Sequence, residues 1–125
     1  MPKKILVIDD EKDMRVYLST LLRKAGYEIE SASNGDEGLE KAAIFLPDLI
    51  TLDVLMPKKS GVKAYTELRT SPSTKEIPII ILTGLAQQED FFSDELGTIR
   101  KPEAIFDKPI ERDSFVKRIK EVLGE

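Results

Sequence analysis

The feature that most constrains this chain is a repeated alternation between short apolar runs and helical periods. Lys4 to Ile8 (KILVI) has the length and β-branched content of a strand covered on both faces. Met14, Leu18, Leu21, Leu22 and Ala25 then recur at helical spacing, and Gly26 stands where such a helix stops. A weaker strand over Tyr27 to Ala32 follows, then a turn at Asn34-Gly35 and a helical face of Leu39, Ala42, Ala43 and Leu46 closed by Pro47. Asp48 to Asp53 reads as a third strand, and Val62, Tyr65 and Leu68 mark a third helix that ends before Ser71-Pro72. Ile77 to Thr83 (IPIIILT) is the most apolar strand of all. The pattern is poorer beyond it, with one helix expected around Asp90 to Leu96. A short strand from Ala104 to Asp107 precedes a last helix carrying Phe115, Val116, Ile119, Val122 and Leu123.

Strands that alternate with helices imply right-handed βαβ crossovers, hence an α/β fold with a five-stranded parallel sheet flanked by five helices. At 125 residues the chain is expected to form one domain, residues 1–125, with a core that needs no disulfide or structural metal. In such sheets ligands bind beyond the carboxyl ends of the strands, where the strand order reverses. The residues that matter are therefore those at the strand ends.

Composition limits the chemistry available there. The chain has no Cys and no His, which excludes Cys/His zinc sites, thiol nucleophiles and Ser-His-Asp triads. A formal net charge of -4 with interspersed signs suits a soluble protein that binds neither nucleic acid nor membrane. Only four apolar residues separate Lys3-Lys4 from Asp9-Asp10, too few for a signal-peptide core. A cytoplasmic location is expected.

Four strands finish in a reactive residue: Asp9-Asp10 after the first, Asp53 at the third, Thr83 at the fourth and Lys108 just after the fifth. Taken singly, each has an ordinary explanation. An aspartate among Asp9, Asp10 and Asp13 caps the following helix, Thr83 is a β-branched strand residue, and Lys108 is a surface charge. Taken together on one rim, three carboxylates repel one another unless a cation lies among them. Oxygen ligands without His or Cys select Mg²⁺ or a similar ion. Three aspartates, a hydroxyl and a lysine suit phosphoryl transfer, with Asp53, deepest in the sheet, as the acceptor nucleophile.

The segments KILVIDDE (Lys4 to Glu11), LDVLMPKKSG (Leu52 to Gly61), IIILTG (Ile79 to Gly84) and DKP (Asp107 to Pro109) resemble the receiver domain of two-component response regulators. The likeness covers nearly the whole chain, and its most specific element is Asp53 followed by Met56-Pro57 and Gly61. It implies a flavodoxin-like receiver fold with strand order 2-1-3-4-5. It also implies that Asp53 takes a phosphoryl group from the phosphohistidine of a histidine kinase or histidine phosphotransfer protein. Asp10, Asp53 and the backbone carbonyl of Leu55 would hold Mg²⁺, with Asp9 acting directly or through water. Thr83 and Lys108 would bind the phosphoryl oxygens, and the Lys108-Pro109 bond would be cis. Phosphorylation would then shift the face made by the fourth helix, fifth strand and fifth helix, which a downstream target protein or an output domain reads. The expected species is a monomer or a weak phosphorylation-dependent dimer, a signalling switch rather than a turnover enzyme. The chain ends soon after its last helix and shows no output domain, which fits a stand-alone receiver or a piece of a longer polypeptide.

Three features depart from the family pattern. The position three before the lysine, often aromatic, is Ile105, with Phe106 one place later. Arg100-Lys101-Pro102 replaces the usual Ala-Gly-Ala-like run, in a stretch from Thr83 to Lys108 that is slightly long. Leu55 and Leu85 stand two residues after the acceptor and the threonine, where polar groups would orient an attacking water, so slow autodephosphorylation is expected.

Three rival readings are weaker. A haloacid-dehalogenase-type phosphohydrolase requires a second Asp where Leu55 stands, and also a cap domain. Dinucleotide or flavin binding lacks a Gly-rich loop, since DDEKD follows the first strand. A phosphorylation-silent docking module, using the unusual region from Gly84 to Glu103 with Phe91 and Phe92, is opposed by the intact set of site residues.

Overall fold

A computed structural model of the chain describes residues 2–53, 60–83 and 101–125. Five strands occur there: β1 (Lys4–Ile8), β2 (Glu28–Ala32), β3 (Leu49–Asp53), β4 (Ile79–Thr83) and β5 (Ala104–Asp107). The helices among these residues are α1 (Lys12–Lys24), α2 (Gly35–Phe45), α3 (Ser60–Thr70) and α4 (Arg112–Val122). All strands pair in parallel, in the order β2-β1-β3-β4-β5. The described helices thus number four rather than the expected five, because the helix expected around Asp90 to Leu96 lies outside the described residues. No helix among them is long and apolar enough to cross a membrane.

Strand alternation divides the core into two layers. Leu6, Ile8, Ile50, Leu52, Ile79 and Ile81 face Ala42 of α2 and Ala64, Tyr65 and Leu68 of α3. Ile5, Val7, Leu49, Ile80 and Leu82 face Leu18 and Leu22 of α1 and Phe115 and Ile119 of α4. The central strands β3 and β4 are buried at every residue, which is why apolar residues dominate them. Burying one such aliphatic side chain stabilises the fold by about 1.5–3 kcal/mol.

Local signals set the boundaries, with four adjustments, the first being that β3 starts at Leu49 rather than Asp48. β4 starts at Ile79 rather than Ile77, since Pro78 has no N–H to donate to a ladder. Tyr27 is buried but precedes β2, following Gly26, whose φ of 103° ends the α1 connection. Asn34 is the N-cap of α2 rather than part of a free turn: its side chain accepts a hydrogen bond from the Glu37 N–H at 2.8 Å. Glu37 in turn accepts from the Ser33 N–H at 2.6 Å. One turn on, Gly38 lets α2 lie against β1, for a Cβ there would stand 2.5 Å from Ile8 Cδ1.

A buried polar knot ties the far end of the sheet together. The Arg69 guanidinium of α3 donates to Tyr65 Oη at 2.9 Å, to the carbonyl of Ile77 at 2.9 Å and to Glu103 Oε1 at 2.7 Å. Glu103 Oε1 also accepts from the Ile79 N–H at 2.7 Å. The entries of β4 and β5 are thereby fixed to the end of α3.

Candidate functional site

Register places the reactive residues. Ile8 of β1 pairs with Leu52 of β3, so Asp9 and Asp53, each one residue further on, leave the sheet side by side. Asp53 pairs with Leu82, and Thr83 with Asp107, so Thr83 and Lys108 stand on the same rim. Asp9, Asp53 and Thr83 are almost wholly buried there, whereas Asp10 is exposed. The Lys108-Pro109 bond is cis.

The Nζ of Lys108 lies 3.2 Å from Asp53 Oδ2, 3.6 Å from Asp9 Oδ2 and 3.9 Å from Glu11 Oε1. One ammonium therefore faces three carboxylates. Burial pulls the Lys108 pKa down, but the charges of Asp53 and Asp9 outweigh it and the net shift is upward. Asp9 shows the opposite side of this crowding. Its carboxyl is pushed up to about 6, chiefly by burial and further by the charge of Asp53, against the hydrogen bond from the Glu11 N–H. That bond, at 3.0 Å, goes to Asp9 Oδ1, while Oδ2 has no hydrogen-bond partner among the described residues.

Carboxylate oxygens of Asp9, Asp10, Glu11 and Asp53 lie within 4.8 Å of one another. An all-oxygen donor set with a buried carboxylate oxygen that accepts no hydrogen bond fits a hard divalent cation, and one lysine is too little positive charge for four carboxylates. Of the ligands expected for Mg²⁺, Asp9, Asp10 and Asp53 come together, and the carbonyl of Leu55 lies outside the described residues.

Residues 5–120 match the family model described as the response regulator receiver domain. The chain belongs to the response regulator receiver family. The receiver is 36% identical over 123 residues to the alkaline phosphatase synthesis transcriptional regulatory protein PhoP of Bacillus subtilis, covering 98% of this chain and 49% of PhoP. It is 32% identical over 126 residues to the polar-differentiation response regulator DivK of Brucella anthropi, covering 100% of this chain and 99% of DivK. Its fold is similar to that of the chemotaxis protein CheY4 of Vibrio cholerae, with a TM-score of 0.85, 30% identity, and 98% and 99% of the two chains covered. The chain thus spans about half the length of PhoP and nearly all of DivK. Receiver domains of two-component systems are signalling switches rather than turnover enzymes.

The departure at Ile105 has a structural counterpart. Successive β5 side chains point to opposite faces: Ile105 packs on the α2 and α3 side, and Phe106 on the α1 and α4 side. Phe106 meets the Phe115 ring edge-on, at 5.3 Å between centroids, so it does not stand in for an aromatic at position 105. Leu85, Phe91 and Phe92 lie outside the described residues.

Two residues of the site were not singled out from the sequence. Glu11 joins the carboxylate cluster, and Arg15 donates to the Asp9 backbone carbonyl at 2.8 Å. The signal for Arg15 was its spacing, one helical turn beyond Glu11, whose carbonyl accepts the Arg15 N–H at 3.0 Å. The signal for Glu11 is its place directly after Asp9-Asp10, at the N-cap of α1.

Proposed function

We propose that Asp53 accepts a phosphoryl group from the phosphohistidine of a histidine kinase or histidine phosphotransfer protein in a Mg²⁺-dependent reaction. The observation that carries this reading is the ion pair of Lys108 with a carboxylate only 1% exposed, at the rim where three further carboxylates gather. A buried Asp53 held in a β-strand has a fixed direction, which favours in-line attack. One Asp53 carboxylate oxygen forms the new P–O bond as the P–N bond to the donor imidazole breaks; the nitrogen keeps the bonding electron pair, and a donor ring protonated at its other nitrogen departs as neutral imidazole. Lys108 neutralises charge on the phosphoryl oxygens, and the Thr83 hydroxyl donates a hydrogen bond to one of them. Asp9, Asp10 and Asp53, with the Leu55 carbonyl, would hold the Mg²⁺, which when bound supplies positive charge to the transferring group.

Once Asp53 is phosphorylated, Lys108 trades a carboxylate for a phosphoryl partner, and the surface around β4, β5 and α4 changes for a downstream protein or an attached output domain. The relatives support both possibilities, since PhoP is about twice the length of this chain and DivK is about its length. The leucines at 55 and 85 make the aspartyl phosphate long-lived in this reading.

The test is intact mass after incubation with acetyl phosphate and Mg²⁺, for the receiver and for Asp53→Asn. One phosphate adduct that requires Mg²⁺ and vanishes in the variant is expected. No adduct with acetyl phosphate, and no Mg²⁺-dependent binding of beryllofluoride, would instead identify a phosphorylation-silent docking module.

A further inference from the structure

Two helices of this receiver begin at a glutamate in nearly the same backbone conformation, yet only one glutamate caps its helix. Glu111, at the N-cap of α4 with φ -83° and ψ 118°, accepts a hydrogen bond from the Ser114 N–H at 2.6 Å. Glu11, at the N-cap of α1 with φ -91° and ψ 119°, makes no side-chain cap bond. The corresponding donor for Glu11 is the N–H of Met14, and the matching dihedral angles put it within the same reach. The Glu11 carboxylate instead lies 3.9 Å from Lys108 Nζ and within the group formed with Asp9, Asp10 and Asp53.

The choice does not follow from local energetics. A cap bond contributes about 0.5–2 kcal/mol, and an ion pair from a side chain that is 68% exposed contributes no more than that. The Glu11 carboxylate faces Lys108 although three other carboxylates lie beside it, and its own negative charge adds to the field that a dication meets. We infer that Glu11 is a further residue of the cation site, held away from its helix so that its carboxylate strengthens Mg²⁺ binding and occupies Lys108 while the metal is absent. This rests on the Mg²⁺ reading of the site given above. The inference assigns Glu11 an electrostatic contribution to the ion rather than a step in phosphoryl transfer.

Two substitutions separate this from a helix-capping role. Glu11→Gln keeps size and removes charge. Glu11→Ser removes charge and supplies a good N-cap. Calorimetric titration with Mg²⁺ at low ionic strength is expected to show binding weakened about three- to tenfold in both variants, the size of one charge acting on a dication across several ångströms of largely aqueous medium. Asp13→Asn removes the same charge two residues on, outside the cluster, and should change binding less than twofold. In metal-free protein Glu11→Ser should raise Tm by about 2–4 °C, so stability and Mg²⁺ affinity move in opposite directions. Unchanged Mg²⁺ affinity in Glu11→Gln, or an equal loss in Asp13→Asn, would overturn the inference and leave the proposed function standing. A wild-type receiver that takes up no Mg²⁺ would overturn both.

Discussion

The guanidinium of Arg69 and the carboxylate of Glu103, 34 residues apart in the chain, meet at 2.7 Å with the arginine side chain only 1% exposed. Breaking a buried ion pair by removing one partner costs about 3–5 kcal/mol, because a desolvated charge is left behind. Arg69→Ala is therefore expected to lower unfolding stability by about that amount, also losing contacts to Tyr65 and to the carbonyls of Ile77 and Lys101. Chemical denaturation of Arg69→Ala, Glu103→Gln and the double variant checks this. The double variant should lose clearly less than the sum of the two single ones.

Thr51 lies in β3 opposite Val7 and Ile80, fully buried, and its hydroxyl has no hydrogen-bond partner among the described residues. A buried hydroxyl without a partner carries a desolvation penalty of about 1–3 kcal/mol. Thr51→Val keeps the shape and removes the penalty, and is expected to stabilise the receiver by about 1 kcal/mol, raising Tm by about 3–5 °C. A lower Tm would contradict the assignment.

If Mg²⁺ binds as proposed, Asp9 makes its binding depend on pH. Its folded pKa of about 6 lies above the ordinary value of 3.8, so the native metal-free state favours the protonated carboxyl. The stability this contributes is fully present below about pH 4 and is lost as pH rises through about 6. A divalent cation selects the ionised form and is opposed by the proton. At pH 5 about one-tenth of Asp9 is ionised, so Mg²⁺ affinity should be about tenfold weaker than at pH 8. Titration calorimetry at the two pH values measures this directly, and equal affinities would mean that Asp9 does not contribute to the site.

On the proposed Mg²⁺ reading of the site, Lys108 competes with the ion for the same carboxylates. Its ammonium, 3.2 Å from Asp53 and 3.6 Å from Asp9, already neutralises part of their charge. Lys108→Ala is expected to bind Mg²⁺ several-fold more tightly and, on the proposed function, to form the phosphate adduct more slowly. The opposite signs set it apart from a variant that merely distorts the site, which would lose both.

Gly38 marks how closely α2 lies against β1. Adding a methyl would favour the helix by about 1 kcal/mol but force it against Ile8, which is 1% exposed. Overpacking of this kind costs about 1–3 kcal/mol, so Gly38→Ala should be destabilising on balance in thermal unfolding.

Much of this receiver was legible along the chain. The period of the apolar residues changes from strand to helix and back, and that change depends only on neighbours a few residues apart, so β1, β3 and β5 end where the sequence indicates. Because all strands run parallel, their ends share one rim, and Asp9, Asp10, Asp53 and Lys108 could be named as a group before any distance was known.

Other features were decided only by the tertiary structure, because they depend on which long-range partner wins. Phe106 took the α4 face because β5 presents alternate residues to opposite sides of the sheet. Arg69 and Glu103 gave no local sign of pairing, since charged residues in loops and on helix ends are usually solvated. Glu11 is the sharpest case: it follows Asp9-Asp10 in the chain, but its nearness to Lys108 and Asp53 exists only once β3 and β5 lie beside β1. Periodicity is a local property that the chain carries by itself, whereas the sum of charges at one point in space exists only once distant strand ends have been brought together.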